Sequence, residues 1–415
     1  MAQKTSVFDS VVVGRGAVGL AAALALLQLG HRVALVGPAP AARSSALSSE
    51  HWDSRVYALS PASRQLLAAL DVWPRLALAR IAPVYEMRLF QERSAGVPDG
   101  QGIRLDAYEA QVEALAWIVE NGVLVDALQS ALADPGGARR LTVFDATVTA
   151  MQLASPAGGP ARLQLSTEAG IQAGLVVGAD GVDSTVRELA GLESRIRPLG
   201  QTAIVANFET TAPHRDCAWQ WFGAEGVIAL LPLPADGLPE GRGRASLVWS
   251  APDALAAEVM AGAGSTLVAR VETLSRQALG GLTVITPPVA LPLRAVQMRR
   301  TVAPGCVVIG DAAHAVHPMA GQGMNLGFGD VAALLRVLPP LDRPVAVPQR
   351  VDWPTLRRYE RGRREQVLAM QWALDGLAFA YGEKSRPFIG LRNIGWSLVA
   401  RSPWIRRRMV SHAVS

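Results

Sequence analysis

The residues of this 415-residue chain best suited to chemistry sit in three glycine-bearing stretches. The longest covers residues 305–327. A buried strand, Val307 to Ile309, runs into Gly310-Asp311, and Gly321-Gln322-Gly323 then opens a helix near Met324-Asn325. Glycine lets backbone approach a ligand closely, and a helix N-terminus turns free N–H groups toward negative charge. An acidic side chain beside such a loop suits sugar or ribityl hydroxyls better than phosphate. A ligand with both a polyol and a pyrophosphate meets these demands, and a flavin nucleotide is one.

The first stretch has the same logic. Val7 to Val13 reads as a buried strand, Gly14-Arg15-Gly16-Ala17-Val18-Gly19 as a turn, and the Ala/Leu run to Leu29 as a helix with Gly30 at its C-terminal end. Val33 to Val36 is the next strand. This is a βαβ unit with G-x-G-x-x-G in the dinucleotide context. The six residues alone would also suit a tight turn under a helix. One part departs from the pattern: the second strand should end in Asp or Glu for the adenosine ribose, and here it ends Leu35-Val36-Gly37-Pro38. Either backbone and water satisfy the ribose, or affinity is reduced. In the middle stretch, Leu175 to Val177 runs into Gly178-Ala179-Asp180-Gly181 and a short helix. Asp183 or Ser184 can cap that helix. Asp180 either organises the turn beside the dinucleotide or serves the fold.

The elements that position these residues alternate strand and helix, with apolar residues making up 50% of the chain, enough for a large core in two or three packed units. The +5 net charge is not gathered into long basic blocks, so nucleic acid is not an expected partner. Cys217 and Cys306 lie far apart without metal-type neighbours, which points to no metal and to a reducing, cytoplasmic compartment. Met1 to Ser10 has no signal-peptide pattern. Val11 to Leu29 is apolar, but Gly14, Arg15, Gly16 and Gly19 break it, so a strand–turn–helix is expected rather than a membrane span.

The three motifs in this order, with Ser184 and Arg187 after Gly-Ala-Asp-Gly, resemble the class A flavoprotein aromatic hydroxylases. Two segments narrow the resemblance to the ubiquinone-biosynthesis hydroxylase family: Asp53-Ser54-Arg55-Val56-Tyr57-Ala58-Leu59-Ser60-Pro61-Ala62-Ser63, and Gly310-Asp311-Ala312-Ala313-His314 through Pro318, Gly321-Gln322-Gly323 and Asn325-Leu326-Gly327. Trp117 to Asn121, Leu230 to Leu233 and Ser246 to Ser250 match similar runs, so the resemblance covers nearly the whole chain.

The resemblance implies an α/β fold: a Rossmann-like FAD-binding domain of the p-hydroxybenzoate hydroxylase type, with an inserted antiparallel β-sheet substrate domain and C-terminal helices. The expected divisions are 1–80, 105–190 and 290–340 for the discontinuous FAD-binding domain, 81–104 and 195–289 for the sheet, and 350–415 for the helical segment. Alternation in Ala203 to Phe208 and Ser246 to Ser250 reads as a sheet with one solvated face. Patches at 133–138, 155–160 and 234–243 read as surface loops, and Pro339 to Pro354 as a linker.

Carried over by position, Gly14, Gly16, Ala17, Val18 and Gly19 would meet the pyrophosphate. Arg55 would reach the pyrophosphate or ribityl region, Asn121 the polyol side, and Gly310-Asp311 the ribityl hydroxyls. Gly321, Gly323, Met324 and Asn325 would present backbone N–H groups to the pyrimidine edge of the isoalloxazine, and Pro318 would line the ring. Each has a plain structural alternative: turns for the glycines, a surface pair for Arg55, a helix cap for Asn121. The cofactors implied are FAD, with NADH or NADPH as a transient electron donor. Oxygen, activated as a hydroperoxide on the flavin, would attack an electron-rich phenol ring, while the protein orients the ring and excludes water. No catalytic base stands out, and His317 is a weak candidate, with Pro318 as lining. His314 and His317 lack the partners of a metal site. Trp219-Gln220-Trp221 resembles the Trp-x-Trp of flavin halogenases without their following residues, and reads as strand with one face toward the substrate.

The substrate implied is a polyprenyl phenol or another aromatic, with O2. Trp396 to Met409 mixes Trp404 and Ile405 with Arg401 and Arg406 to Arg408. It suits peripheral contact at the inner membrane surface or a solvated helix face. Three functions stay open at this level: hydroxylation of a polyprenylated quinone precursor, hydroxylation of a small soluble aromatic, and a non-catalytic accessory role in a ubiquinone-biosynthesis complex. The partners implied are that complex or a second copy of the chain in a homo-oligomer. An apolar tunnel favours the first, and a polar pocket with a carboxylate-binding arginine the second.

Overall fold

The computed structural model describes residues 5–39, 51–91, 102–154, 159–262, 264–317, 322–341, 350–382 and 402. The expectations for Pro318, Gly321 and the stretch Trp396 to Met409 (Ser402 apart) fall outside them.

The first sheet is built on five parallel strands in the spatial order Leu141–Phe144, Val33–Val36, Thr5–Val13, Gly170–Gly178, Cys306–Val308. This is the doubly wound order, in which ligands bind outside the carboxyl ends of the strands. The central strands read as continuous Val/Leu runs because they are covered on both faces. Two antiparallel strands, Val148–Gln152 and Ala161–Leu165, extend the sheet through Gly170–Gly178. Helix Ala17–Gln28 is apolar on nearly all sides, since it packs between the sheet and helices Asn121–Leu132 and Gln322–Val337. It ends as expected at Gly30, with φ +90°: the N–H groups of Gly30 and His31 reach back to the carbonyls of Leu27 and Leu26.

The second sheet follows the order Leu282–Val284, Ser194–Thr210, Gly243–Pro252, Gly226–Leu233, Cys217–Gly223, Glu86–Gln91, Ile103–Asp106, with Val289–Met298 also paired to Ser194–Thr210. Three details differ from expectation. Cys217–Gly223 runs parallel to Glu86–Gln91, so the sheet is mixed rather than purely antiparallel. Val289–Met298 joins this sheet, not the flavin domain, because its backbone groups pair along Ser194–Thr210. Ile81–Val84 leaves it, pairing instead with Ala116–Glu120 in a small antiparallel sheet completed by Val56–Leu59.

No face of the second sheet is solvated around its centre, and Ala203 to Phe208 are all buried. Ile204, Ala206, Phe208, Leu247 and Trp249 pack under helices Asp253–Ala261 and Gly264–Leu274. The opposite face closes over a cavity. The alternation is present, but both faces are covered. The patch at 133–138 contains a short helix, Pro135–Ala138, and the described part of the expected helical segment holds one long helix, Trp353–Gly382.

Candidate active site

The carboxyl ends of the first sheet and the inner face of the second enclose one cavity of about 550 Å³. Gly16, Ala17, Val18, Ala179, Gly181, Gly310, Asp311, Gly323 and Met324 line one side, with Arg55, Tyr57 and Asn121 from the small sheet and its helix. All three motifs therefore converge, although long stretches of chain separate them.

The glycines of the first motif do different work. Gly14 has φ +116°, and a Cβ there would lie 2.1 Å from the Ala179 carbonyl oxygen. Gly19 would meet the Gly14 carbonyl oxygen at 2.0 Å. Both are needed for close packing. A Cβ added at Gly16 would have nothing within 4 Å; this residue opens onto the cavity, where a ligand's phosphates could approach the backbone.

Asp311 points into the cleft and makes no hydrogen bond or ion pair among the described residues. It is open to solvent through the cavity yet has protein on most other sides. That partial burial raises its carboxyl pKa above the ordinary value, offset in part by His314. Gly310, just before it, is held from behind. The buried Asp330 carboxylate accepts from the Gly310 N–H at 2.8 Å, from His314 Nε2 at 2.6 Å and from Arg363 Nε at 2.7 Å. Burial works against the charges of Asp330 and His314, but their mutual attraction wins: Asp330 is held below the usual carboxylate range and His314 above the usual imidazole range. His314 is thus a buried, bonded residue as expected. Asp330 and Arg363 were missed, because a carboxylate inside helix Gln322–Val337 and an arginine in helix Trp353–Gly382 carry no sequence signal of meeting.

Arg55 is exposed to the cavity, and its guanidinium has no partner among the described residues. Its backbone N–H donates to Asp53 Oδ1 at 2.9 Å, while Asp53 Oδ2 accepts from Gly122 N–H at 3.1 Å and Asn121 Nδ2 at 3.4 Å. Asp53 is in turn fixed by Glu120, which accepts its N–H at 2.6 Å and binds Arg80 through both oxygens at 2.7 and 2.8 Å. Asp53, Glu120 and Arg80 were also missed; they hold the turn that aims Arg55 and Asn121.

Other expected residues have structural duties. The Asp180 carboxylate accepts from Ser184 Oγ and from Val186 N–H at 3.0 Å, so it caps the short helix Thr185–Leu189 rather than facing the cavity. Ser184, not Asp183, is the N-cap, accepting from Arg187 N–H at 3.0 Å. Arg187 is buried and donates to the Ala312 carbonyl at 2.9 Å, tying the second motif to the third. The Asn325 side chain accepts from Ser60 N–H and Ser63 Oγ at 2.9 and 2.8 Å and donates to the Ala58 carbonyl at 2.9 Å. Only its backbone is left for a ligand. His317 bonds Gln201 and is buried, while Ala315 and Val316 line the cavity, so His317 is not placed as a base. Trp219 and Trp221 lie on the sheet face away from the cavity, stacked with Phe90; Gln220 between them is the residue that faces in.

The cleft fits a flavin dinucleotide. It offers an open glycine turn, an unpaired carboxylate, an unpaired guanidinium, and the first N–H groups of helix Gln322–Val337, which have no partners within the helix. Comparison with known proteins decides the matter: the sequence profile of the FAD binding domain family matches residues 7–366. The chain belongs to that family. Within it, the chain is 31% identical to 3-demethoxyubiquinol 3-hydroxylase of Escherichia coli, over 98% of each chain. It is 32% identical to ubiquinone hydroxylase UbiL of Rhodospirillum rubrum, over 98% of this chain and 90% of that one. It is a member of the ubiquinone-biosynthesis hydroxylases among the FAD-dependent monooxygenases. The fold is shared with PqsL of Pseudomonas aeruginosa, solved in complex with 2-aminobenzoylacetate, at a TM-score of 0.71 and 22% identity over 94% of this chain and 100% of that one.

The substrate side of the cavity is the second sheet. Ala203, Val205, Val227, Ala229, Leu231 and Val248 face it, with Leu291 and Pro292 at one margin. Gln220 and Ser250 are the polar side chains on this face. Arg294 reaches the rim but is held by Asp183 through two bonds of 2.7 Å. Among the described residues no helix is long and apolar enough to cross a membrane, and no cluster of side chains could hold a metal ion.

Proposed function

We propose that this FAD-dependent monooxygenase hydroxylates the ring of a polyprenylated phenolic precursor in ubiquinone biosynthesis, with O2 and with electrons from NADH or NADPH. The observation that carries this is the sheet face over the cavity: small and aliphatic residues, two neutral polar groups and, among the described residues, no unpaired arginine on that face of the kind a soluble aromatic acid would require. The named activities of the two relatives agree with it.

In this reading, bound FAD supplies oxygen activation. The protein's own residues bind and orient. Gly14, Gly16 and Gly19 form the pyrophosphate turn, with Ala17 and Val18 beside it, and Arg55 supplies positive charge nearby. Asp311 would accept from ribityl hydroxyls, Asn121 would meet the polyol side, and the N–H groups of Gly323 and Met324 would stabilise negative charge at the pyrimidine edge. Gln220 and Ser250 hydrogen-bond the ring oxygens, and Ala203 and Ala229 leave room for the ring between aliphatic neighbours. The sheet and its covering helices keep water from the reacting oxygen. A substrate dissolved in the bilayer also implies peripheral contact with a membrane surface, and family membership agrees with a place in a biosynthetic complex.

The test supplies purified protein, FAD and NAD(P)H with a polyprenyl phenol or with a small soluble phenolic acid. Hydroxylated polyprenyl product supports the proposal. Turnover of the soluble acid alone overturns the substrate class, and a folded protein that binds no flavin points to an accessory subunit.

A further inference from the structure

The second strand of the dinucleotide unit lacks its acidic end, and the structure points to where that function has gone. Val33–Val36 is parallel to Leu141–Phe144 and registered with it residue by residue, ending at Val36 opposite Phe144. The pairing continues for one step, as the Gly37 N–H donates to the Phe144 carbonyl at 3.1 Å. Asp145 therefore stands level with Gly37 at the carboxyl edge of the sheet, one strand over, a sideways displacement of about 4.8 Å.

Arg15, the variable residue of the glycine turn, spans this gap. Its side chain lies over Gly37, where an added Cβ would come within 3.0 Å of Arg15 Cγ, and its Nη1 binds Asp145 Oδ1. Glycine at 37 is what makes room for Arg15. The arginine is mostly covered, with 16% of its side chain exposed, whereas the Asp145 side chain is 67% exposed. A pair this open contributes little to stability. Its effect is positional: one carboxylate oxygen is held by the guanidinium, and Oδ2 has no partner among the described residues.

We propose that Asp145, oriented by Arg15 across Gly37, accepts hydrogen bonds from the adenosine ribose hydroxyls of FAD in place of the acidic residue that position 37 lacks. The dinucleotide site of this chain is rewired by one strand rather than weakened.

The experiment titrates the apoprotein with FAD, with FMN, which lacks the adenosine, and with ADP, which carries it. For Asp145→Ala, FAD and ADP should bind roughly 5–10-fold more weakly, the loss of one hydrogen bond to a charged acceptor at an exposed site, with FMN unchanged. Adding Gly37→Glu to Asp145→Ala should restore much of the FAD affinity by returning the carboxylate to the usual strand. Unchanged FAD and ADP affinities in Asp145→Ala overturn the proposal, as does a parallel loss for FMN, which would mean a general disturbance of the cleft.

Discussion

The two walls of the cavity are built on opposite plans. The first-sheet wall is backbone and charge: glycine turns, a helix start, Asp311 and Arg55, each braced by polar contacts behind it. The second-sheet wall is side-chain shape: alternate residues of four strands, nearly all aliphatic, with Gln220 and Ser250 as the polar exceptions. A cofactor common to many enzymes calls for fixed polar geometry, which comes from turns with strict residue demands. A substrate particular to one enzyme calls for a shaped apolar surface, which many sequences can make. Perturbing the first wall should therefore change flavin binding and stability, and perturbing the second should change substrate use alone.

The largest effect is expected behind the first wall. Asp330→Ala leaves His314 and Arg363 buried without their counter-charge and should cost about 3–5 kcal/mol of stability, read by denaturant unfolding. A cost below about 1 kcal/mol would mean that the network is not the brace of the Gly310 turn. Next, Asp311→Ala removes acceptors from the cleft and should weaken FAD binding by about 1.5–3 kcal/mol with little change in fold stability. Unchanged flavin affinity in titration would remove Asp311 from the ribityl role. On the second wall, Ala229→Phe fills the cavity face. It should raise KM for a polyprenyl phenol roughly tenfold, about 1.4 kcal/mol, while leaving flavin affinity in place. A flavin defect in that variant would erase the distinction between the walls.

Two smaller effects sharpen it. His314 has its pKa raised in the folded state, so its contribution to stability is complete below its unfolded value of about 6.5 and declines as pH rises through the folded value. The stability gap between wild type and His314→Gln should accordingly narrow at alkaline pH; a gap that widens there would contradict a charged His314. Gly37→Glu in the otherwise native chain should alter FAD affinity by less than about tenfold, because Asp145 already serves the ribose and Arg15 must shift to admit the new side chain.

This division also explains what the sequence made legible. The glycine motifs were readable because Gly14 and Gly19 sit where any Cβ would collide with backbone, and such demands leave marks at fixed spacing. The strand from Ala203 to Phe208 was readable as a strand, but its burial on both faces was not, since period-two alternation also describes a strand between a cavity and a helix layer. Asp180 shows the limit of motif reading: its position beside the dinucleotide turn follows from the motif, whereas its side chain serves a helix cap. Asp330 with Arg363, and Asp53 with Glu120 and Arg80, were illegible because each set joins elements from different parts of the chain and has no local pattern. Val289–Met298 lies close in sequence to the third motif, while its pairing partner, Ser194–Thr210, comes far earlier in the chain.

If a flavin held by the first wall meets an aromatic ring held by the second, oxygen from O2 must end on that ring. The most direct measurement is a turnover of the FAD-loaded protein with NAD(P)H, a polyprenyl phenol and ¹⁸O-labelled dioxygen, analysed by mass spectrometry alongside hydrogen peroxide release. The expected result is a product carrying one labelled oxygen on the ring, formed in step with NAD(P)H consumption. NAD(P)H oxidation that yields only peroxide, with the phenol returned unchanged across chain lengths, would contradict it.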